Sequence, residues 1–376
     1  MKNIVIPLLL LLFSCSSGSR YTIIGSFEGD FVKDGTVVRL YDMYDESVDS
    51  VVVENGAFVF EGRVERPALR YIAVDGRKRI VVCEPGETVV TFDEHFTPYL
   101  SGTELNGKIN AVNNYVRSRY RRYMRRTERA RDELSGYRLD SALTAIGKEI
   151  KEDISEYYGE CVEENRDNIV SGYVMLNWAG MLDAHEIDSV LGTVAYLPSR
   201  ELPPLVAIRN RKHRAERSAE GRPFIEVIGA DASGNPVRLS DAVGKGRPAV
   251  LFFWASWCGE CLDDTALLKA LTDRYGDEGL TVTGINVREE SDSDFRTAIN
   301  VLGMSWPHIH VRDNAATDNY AVEELPFVVV LDGEGVIVRR HRRLVEAEAT
   351  IDSLMAAHGS GQEIPTPPVT EARGRE

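Results

Sequence analysis

Apolar residues follow three different rhythms along this chain. Between 21 and 102 they form short runs rich in Val, Ile, Tyr and Phe: Tyr21–Phe27, Thr36–Tyr41, Ser47–Val53, Ala57–Val64, Leu69–Val74, Arg79–Glu84 and Glu87–Phe92. Asp34-Gly35, Asn55-Gly56, Asp75-Gly76 and Pro85-Gly86 separate them, so each run reads as a strand bounded by a turn. Asn55-Gly56, between Val51–Val53 and Phe58–Phe60, is a strong hairpin signal. Strands at this spacing predict a small antiparallel sandwich or barrel. Between 103 and 218 the rhythm becomes helical. Ile109, Val112, Val116, Tyr120 and Met124 mark one helix face. Leu139–Glu163 continues in that style, and Asn177–Leu197 adds one or two shorter helices. Between 219 and 358 strand and helix patterns alternate, which predicts an α/β sheet. Arg247–Trp254, Leu280–Val287 and His308–Val311 read as strands. Phe327–Leu331 and Val336–Arg340 read as a hairpin, and Cys261–Tyr275, Asp292–Leu302 and Val345–His358 as helices.

A length of 376 residues predicts two or three domains. Hydrophobic residues at 43% and charged residues at 27% fit a globular chain. A net charge of −15 argues against a nucleic-acid partner. The run RSRYRRYMRRTERAR at 117–131, with eight arginines, reads as a solvated helix face, because acids crowd nearby. At the start, Lys2 precedes an apolar run from Ile4 to Phe13, too short to span a bilayer. It ends in Leu12-Phe13-Ser14-Cys15, which resembles a bacterial lipoprotein signal. That resemblance implies a lipid on Cys15, a membrane attachment through it, and an oxidising, periplasm-facing compartment. The expected plan is a signal peptide at 1–14, a linker at 15–20, a β-domain at 21–102, a helical region at 103–218, an α/β domain at 219–358 and a polar, Pro/Gly-rich tail at 359–376.

The chemistry concentrates in FFWASWCGECLDD, residues 252–264. Cys258 and Cys261 sit where a strand hands over to a helix. A helix N-terminus carries partial positive charge and unpaired N–H groups, which favour a thiolate. The thiolate is the nucleophile of disulfide exchange. Cys258 is expected exposed at the helix tip and Cys261 one turn in and more buried. One attacks a foreign disulfide and the other resolves the mixed disulfide. A zinc site would need two further ligands, and no second Cys-x-x-Cys exists. A disulfide closing so short a loop cross-links too little chain to serve mainly as a staple. His308 and His310 share one face of a strand and read as surface histidines rather than metal ligands. Cys83 and Cys161 read as buried single thiols.

The flanking residues carry a family resemblance. GRPAVLFFWASWCGEC, IGADASGNPVRLSDAVGK, VTGINVREES, MSWPHIHVRD and NYAVEELPFVVVLDGEGVIV follow one another in order over roughly 221–358. They resemble the TlpA/ResA-like branch of the thioredoxin superfamily, anchored extracytoplasmic thiol–disulfide oxidoreductases. DSVVVENGAFVFEGRVERP, EPGE and SGTELN resemble an N-terminal β-domain fused to such lipoproteins. The implied fold is an α/β thioredoxin fold at the C-terminus, preceded by an all-β sandwich or barrel-like domain and a helical middle region. The implied activity is exchange with protein thiols and disulfides, as a reductant recharged by a membrane electron donor of the DsbD/CcdA type, with no cofactor and no metal. Pro326 falls at the family's cis-proline, with Leu325 as its substrate-facing neighbour. Phe327 departs from the usual Thr there. Glu289, or its neighbour Glu290, falls at the family's buried acid, which assists proton transfer at Cys261. Trp257, Gly259 and Glu260 fall on the substrate-binding surface, and Trp254 and Trp257 either frame the site or pack. Glu260 departs from the commoner proline; a carboxylate between the cysteines opposes thiolate formation. A peroxidase of this superfamily would place Thr three residues before its cysteine, where this chain has Ala255. A non-catalytic binding lipoprotein on a thioredoxin scaffold is the alternative reading.

Overall fold

The computed structural model describes residues 18–29 and 31–360, and they form two units that divide between Arg209 and Asn210. The expectations for Cys15, the signal peptide and nearly all of the tail lie outside the described residues.

The first unit opens with eight strands: β1 (Ser19–Phe27), β2 (Val37–Tyr41), β3 (Ser47–Val52), β4 (Ala57–Val64), β5 (Ala68–Val74), β6 (Arg77–Cys83), β7 (Gly86–Phe92) and β8 (Pro98–Ser101). They make two four-stranded sheets, ordered β4-β1-β7-β8 and β3-β2-β5-β6. Two expectations are corrected here. β1 pairs parallel with β7, so the arrangement is not wholly antiparallel. The Asn55-Gly56 turn is tight, with φ of 53° and 72°, the left-handed values that a two-residue turn needs. It closes a single antiparallel rung, Glu54 with Ala57, and beyond that rung the strands it joins enter different sheets, so the expected hairpin is cut short. Alternate residues point inward: Ile23, Val38, Leu40, Phe58, Phe60, Val90 and Phe92.

Six helices follow: α1 (Glu104–Glu133), α2 (Gly136–Glu164), α3 (Val170–Trp178), α4 (Ala184–Thr193), α5 (Leu197–Arg200) and α6 (Pro203–Arg217). Ile109, Val112, Ile154, Val170 and Leu205 enter the same hydrophobic core as the strands. The expected α1 stripe is corrected in its second half. Tyr120 and Met124 are exposed, and Tyr123 and Ala130 are buried instead. The arginine-rich turns of α1 face acids of α2, with Arg119 3.4 Å from Asp153 and Arg126 2.7 Å from Glu149.

The second unit carries β9 (Ile228–Ala230), β10 (Pro236–Arg238), β11 (Ala249–Trp254), α7 (Gly259–Tyr275), β12 (Thr281–Val287), α8 (Asp292–Leu302), β13 (His308–Val311), α9 (Ala315–Asn319), β14 (Phe327–Leu331), β15 (Ile337–His341) and α10 (Leu344–Ser360). Its sheet runs β10-β9-β13-β12-β11-β14-β15. β11, β12 and β13 are parallel, and β14 runs against β11. This is the thioredoxin-type α/β sheet expected. Every residue of β11 is buried because both sheet faces are covered. Val250, Phe252 and Trp254 meet α7, α8 and α10 on one face, and Leu251 and Phe253 meet Tyr320 and Leu239 on the other. Fully burying side chains of this size contributes about 1.5–3 kcal/mol each.

Candidate functional site

Pairing in the sheet decides what meets at its edge. Trp254 ends β11 opposite Asn286 of β12, and Phe253 lies opposite Phe327, which starts β14. The chain leaving β11, the chain leaving β12 and the chain entering β14 therefore emerge side by side. They carry Cys258, Glu289 and Pro326. Crevices outside the carboxyl ends of parallel strands are where α/β sheets place ligands.

Cys258 and Cys261 are joined as a disulfide, with Cα atoms 5.2 Å apart. Cys258 caps α7, and its Sγ accepts from the Cys261 N–H at 3.2 Å. The expected order of exposure is present, but Cys258 is far more covered than a helix tip suggests. It is 7% exposed and Cys261 0%. The bulk lies in neighbours: Leu325 packs against the apolar cluster that holds both cysteines. Leu325-Pro326 is a cis peptide bond, with Pro326 buried and Leu325 half-buried. Trp257 is 58% exposed, and its indole N–H donates to the Arg288 carbonyl at 2.7 Å. Gly259 and Glu260 are exposed on the first turn of α7. Trp254 is fully buried and packs under the sheet.

Glu289 is half-buried and turned toward the segment before the cysteines. Its carboxylate accepts from the Ser256 N–H and hydroxyl, both at 2.6 Å, and from Asn286 Nδ2 at 2.6 Å. Glu290 is exposed.

Two residues at the site escaped the sequence reading. Arg288 has φ of 56°, a left-handed backbone that costs a non-glycine residue about 1–2 kcal/mol. Its side chain donates to the Val322 and Glu323 carbonyls at 2.9 and 3.0 Å, on the approach to Pro326. No local pattern announces such a backbone at an arginine. Arg343 lies 3.6 Å from Glu260 and donates to buried Asp264 of α7 at 2.8 Å. That cation offsets part of the negative charge Glu260 brings to the helix tip.

His308 and His310 correct a further expectation, since both are buried, at 7% and 6% exposure. They lie on the sheet face covered by Phe295 of α8. Neither ring nitrogen of His308 has a hydrogen-bond partner among the described residues, and burial lowers its pKa to about 4. Gly284 makes room for it. A Cβ there would stand 2.3 Å from His308 Nδ1 and 3.0 Å from Trp254 Nε1. Among the described residues no group of three or more His, Cys, Asp or Glu is placed to hold a metal ion. Cys83 and Cys161 are free and buried, and burial pushes the Cys83 thiol up to about 12.

A seven-stranded sheet with a cysteine pair capping the helix that follows β11, an interior strand, defines a thioredoxin-fold thiol–disulfide oxidoreductase. Comparison with known proteins finds that residues 221–340 match the AhpC/TSA family, while residues 21–109 match a domain of unknown function, DUF4369. The thiol–disulfide oxidoreductase ResA of Bacillus subtilis (strain 168) is 27% identical over 124 residues, 33% of this chain and 68% of that protein. ResA of Bacillus anthracis is 24% identical over 125 residues, 33% of this chain and 70% of that protein. Among solved structures, the thioredoxin domain of a thiol–disulfide oxidoreductase from Bacteroides vulgatus is 25% identical, covering 36% of this chain and 98% of its own at a TM-score of 0.34.

Proposed function

We propose that this protein is an extracytoplasmic, lipid-anchored oxidoreductase whose Cys258–Cys261 pair reduces disulfides in other proteins. The observation that carries the reading is the pair's position, with Cys258 as the N-cap of α7 and the less buried of the two cysteines. In the reduced protein the Cys258 thiolate attacks one sulfur of a substrate disulfide. A bond forms to Cys258 Sγ, and the other substrate sulfur leaves as a thiolate. Cys261 gives up its proton to Glu289 and attacks Cys258 Sγ. The internal disulfide closes, and the second substrate sulfur leaves as a thiolate. Two electrons have passed to the substrate, whose two thiolates take up two protons. A dithiol donor, in this reading a membrane protein of the DsbD/CcdA type, returns the pair to its reduced form. Trp257, Gly259, Glu260 and Leu325 form the surface that meets the substrate, and Pro326 shapes the backbone beside it. The lipoprotein-like Leu12-Phe13-Ser14-Cys15 supports anchoring through Cys15, facing the periplasm. Loss of membrane attachment in Cys15→Ser tests it.

The deciding experiment is the reduction potential of the pair, by equilibration with dithiothreitol or glutathione, with Cys258→Ser as control. A value near roughly −270 mV supports a reductant, and one near roughly −120 mV reverses the direction to an oxidant. A pair that cannot cycle overturns the enzyme reading and leaves a binding lipoprotein.

A further inference from the structure

His310 is buried on β13 and stacked on Phe295, ring centroids 4.8 Å apart. Both its nitrogens are engaged. Nδ1 lies 2.7 Å from Asn286 Oδ1, and Nε2 lies 3.1 Å from Asp292 Oδ1. Asn286 is 0% exposed, and its Nδ2 donates to Glu289. Glu289 accepts in turn from Ser256, two residues before Cys258. A continuous chain of hydrogen bonds thus runs through Asp292, His310, Asn286, Glu289 and Ser256.

We propose that His310 is a positioning residue for the dithiol: it fixes which way the Asn286 amide faces, and that amide holds the Glu289 carboxylate in register with the turn before Cys258. The inference rests on the role given above to the cysteine pair and Glu289. The argument is one of amide chemistry. A primary amide donates from one side and accepts on the other. Flipped, Asn286 would set its oxygen against the Glu289 carboxylate, acceptor against acceptor. Asn286 Oδ1 at Nδ1 and Asp292 Oδ1 at Nε2 are both acceptors, so the ring that makes both bonds donates from both nitrogens, and its Nδ1–H bonds to only one of the two amide orientations. A buried polar group left without its partner is strongly disfavoured, which chooses between them.

The chain carries orientation and not protons, because an amide neither takes up nor releases a proton near neutral pH. The His310 ring is itself held from three sides. Asn286 faces it from β12, Asp292 and Phe295 from α8, and Asp292 is also bound by Arg312, just past β13, whose guanidinium holds that carboxyl down at about 2. The backbone of β9 pairs alongside at Ala230. His308, two residues away on the same face, shares none of these polar partners.

The test is the rate of reduction of a peptide disulfide by the full-length protein, with dithiothreitol as donor, measured from pH 5 to 9. His310→Leu should lose roughly tenfold, a part of the about 10²–10⁴-fold that a positioned general base contributes. It should also shift the pH profile, and His310→Gln, which keeps a donor, should recover most of the rate. Asn286→Asp, which puts an oxygen against Glu289, should lose rate with His310 in place. In a Glu289→Gln background His310→Leu should cost nothing more. A His310→Leu protein with wild-type rate and profile overturns the inference, as does a double variant that loses the product of the two single losses. Should His310→Leu fail to fold by circular dichroism, the contrast of His310→Gln with Asn286→Asp decides: equal rates overturn it. Exchange that survives Cys258→Ser would sink the functional reading and this inference together, whereas Cys258-dependent exchange with a silent His310→Leu sinks the inference alone.

Discussion

Two asparagines, one in each unit, are completely buried, and they are used differently. Asn106 of α1 accepts from the Val82 N–H at 3.0 Å and donates back to the Val82 carbonyl at 2.8 Å. Thr88, Thr103 and Glu84 surround the same amide. Glu84 also accepts from the backbone of Leu105 and Asn106, which satisfies the free N–H groups where α1 begins. This network closes on itself and ties a helix to β6. Asn286 of β12 sits instead in a line that starts at half-exposed Asp292 and ends at the turn before the cysteines. A buried amide that closes on backbone serves the fold. One passed from an imidazole to a carboxylate beside a dithiol is arranged to serve chemistry.

The comparison breaks first at the cysteines. Cys258→Ser should remove exchange altogether, to the uncatalysed level in the peptide assay, while thermal unfolding of the first unit stays put. Asn106→Ala should do the reverse. It leaves the Val82 N–H and carbonyl buried without that partner and should cost about 2–4 kcal/mol by urea denaturation. Exchange per folded molecule should be unchanged, and a matching loss of rate would erase the distinction between the two networks.

His308 sharpens the contrast within the second unit. Its folded pKa is about 4 against an ordinary 6.5. Between those values the unfolded chain holds more protons, so stability falls as pH drops, by about 3 kcal/mol over the whole window. His308→Leu should flatten that loss, read as urea midpoints at pH 7 and 4.5. The smallest effect is at Glu260, exposed and already faced by Arg343. Glu260→Gln in the reduced protein should move the Cys258 thiolate absorbance titration slightly toward lower pH. An unmoved curve would mean that Arg343 already cancels the charge.

Local signals were readable where a local cause exists. Ser291 caps α8 and Gly303 ends it with φ of 57°, and the helix spans Asp292–Leu302 as its sequence pattern predicts. Seven of the eight strands of the first unit start and end within two residues of the expected runs, and the short β8 was not anticipated. Partnership was not readable, because it depends on distant chain. Nothing near Tyr21–Phe27 says that β7 lies beside it in parallel, and nothing near Asn55-Gly56 says that its strands part company. The α1 face turned after Val116 because α2 covers Tyr123 rather than Tyr120. At the site, the motif located Cys258, Cys261, Glu289 and Pro326 along the chain. It was silent on Arg288, whose placement follows from backbone shape, and on His310, which looks like a surface residue until α8 is laid over it.

Gly284 also limits the order in which this sequence can drift. The ring of His308 and the indole of Trp254 already occupy the space beside it. Alanine at 284 forces the His308 ring to shift, so it is costly until one of those rings has been exchanged for something smaller. Substitutions at 254, 284 and 308 should therefore appear as a linked set among related chains, with glycine never the first of the three to go.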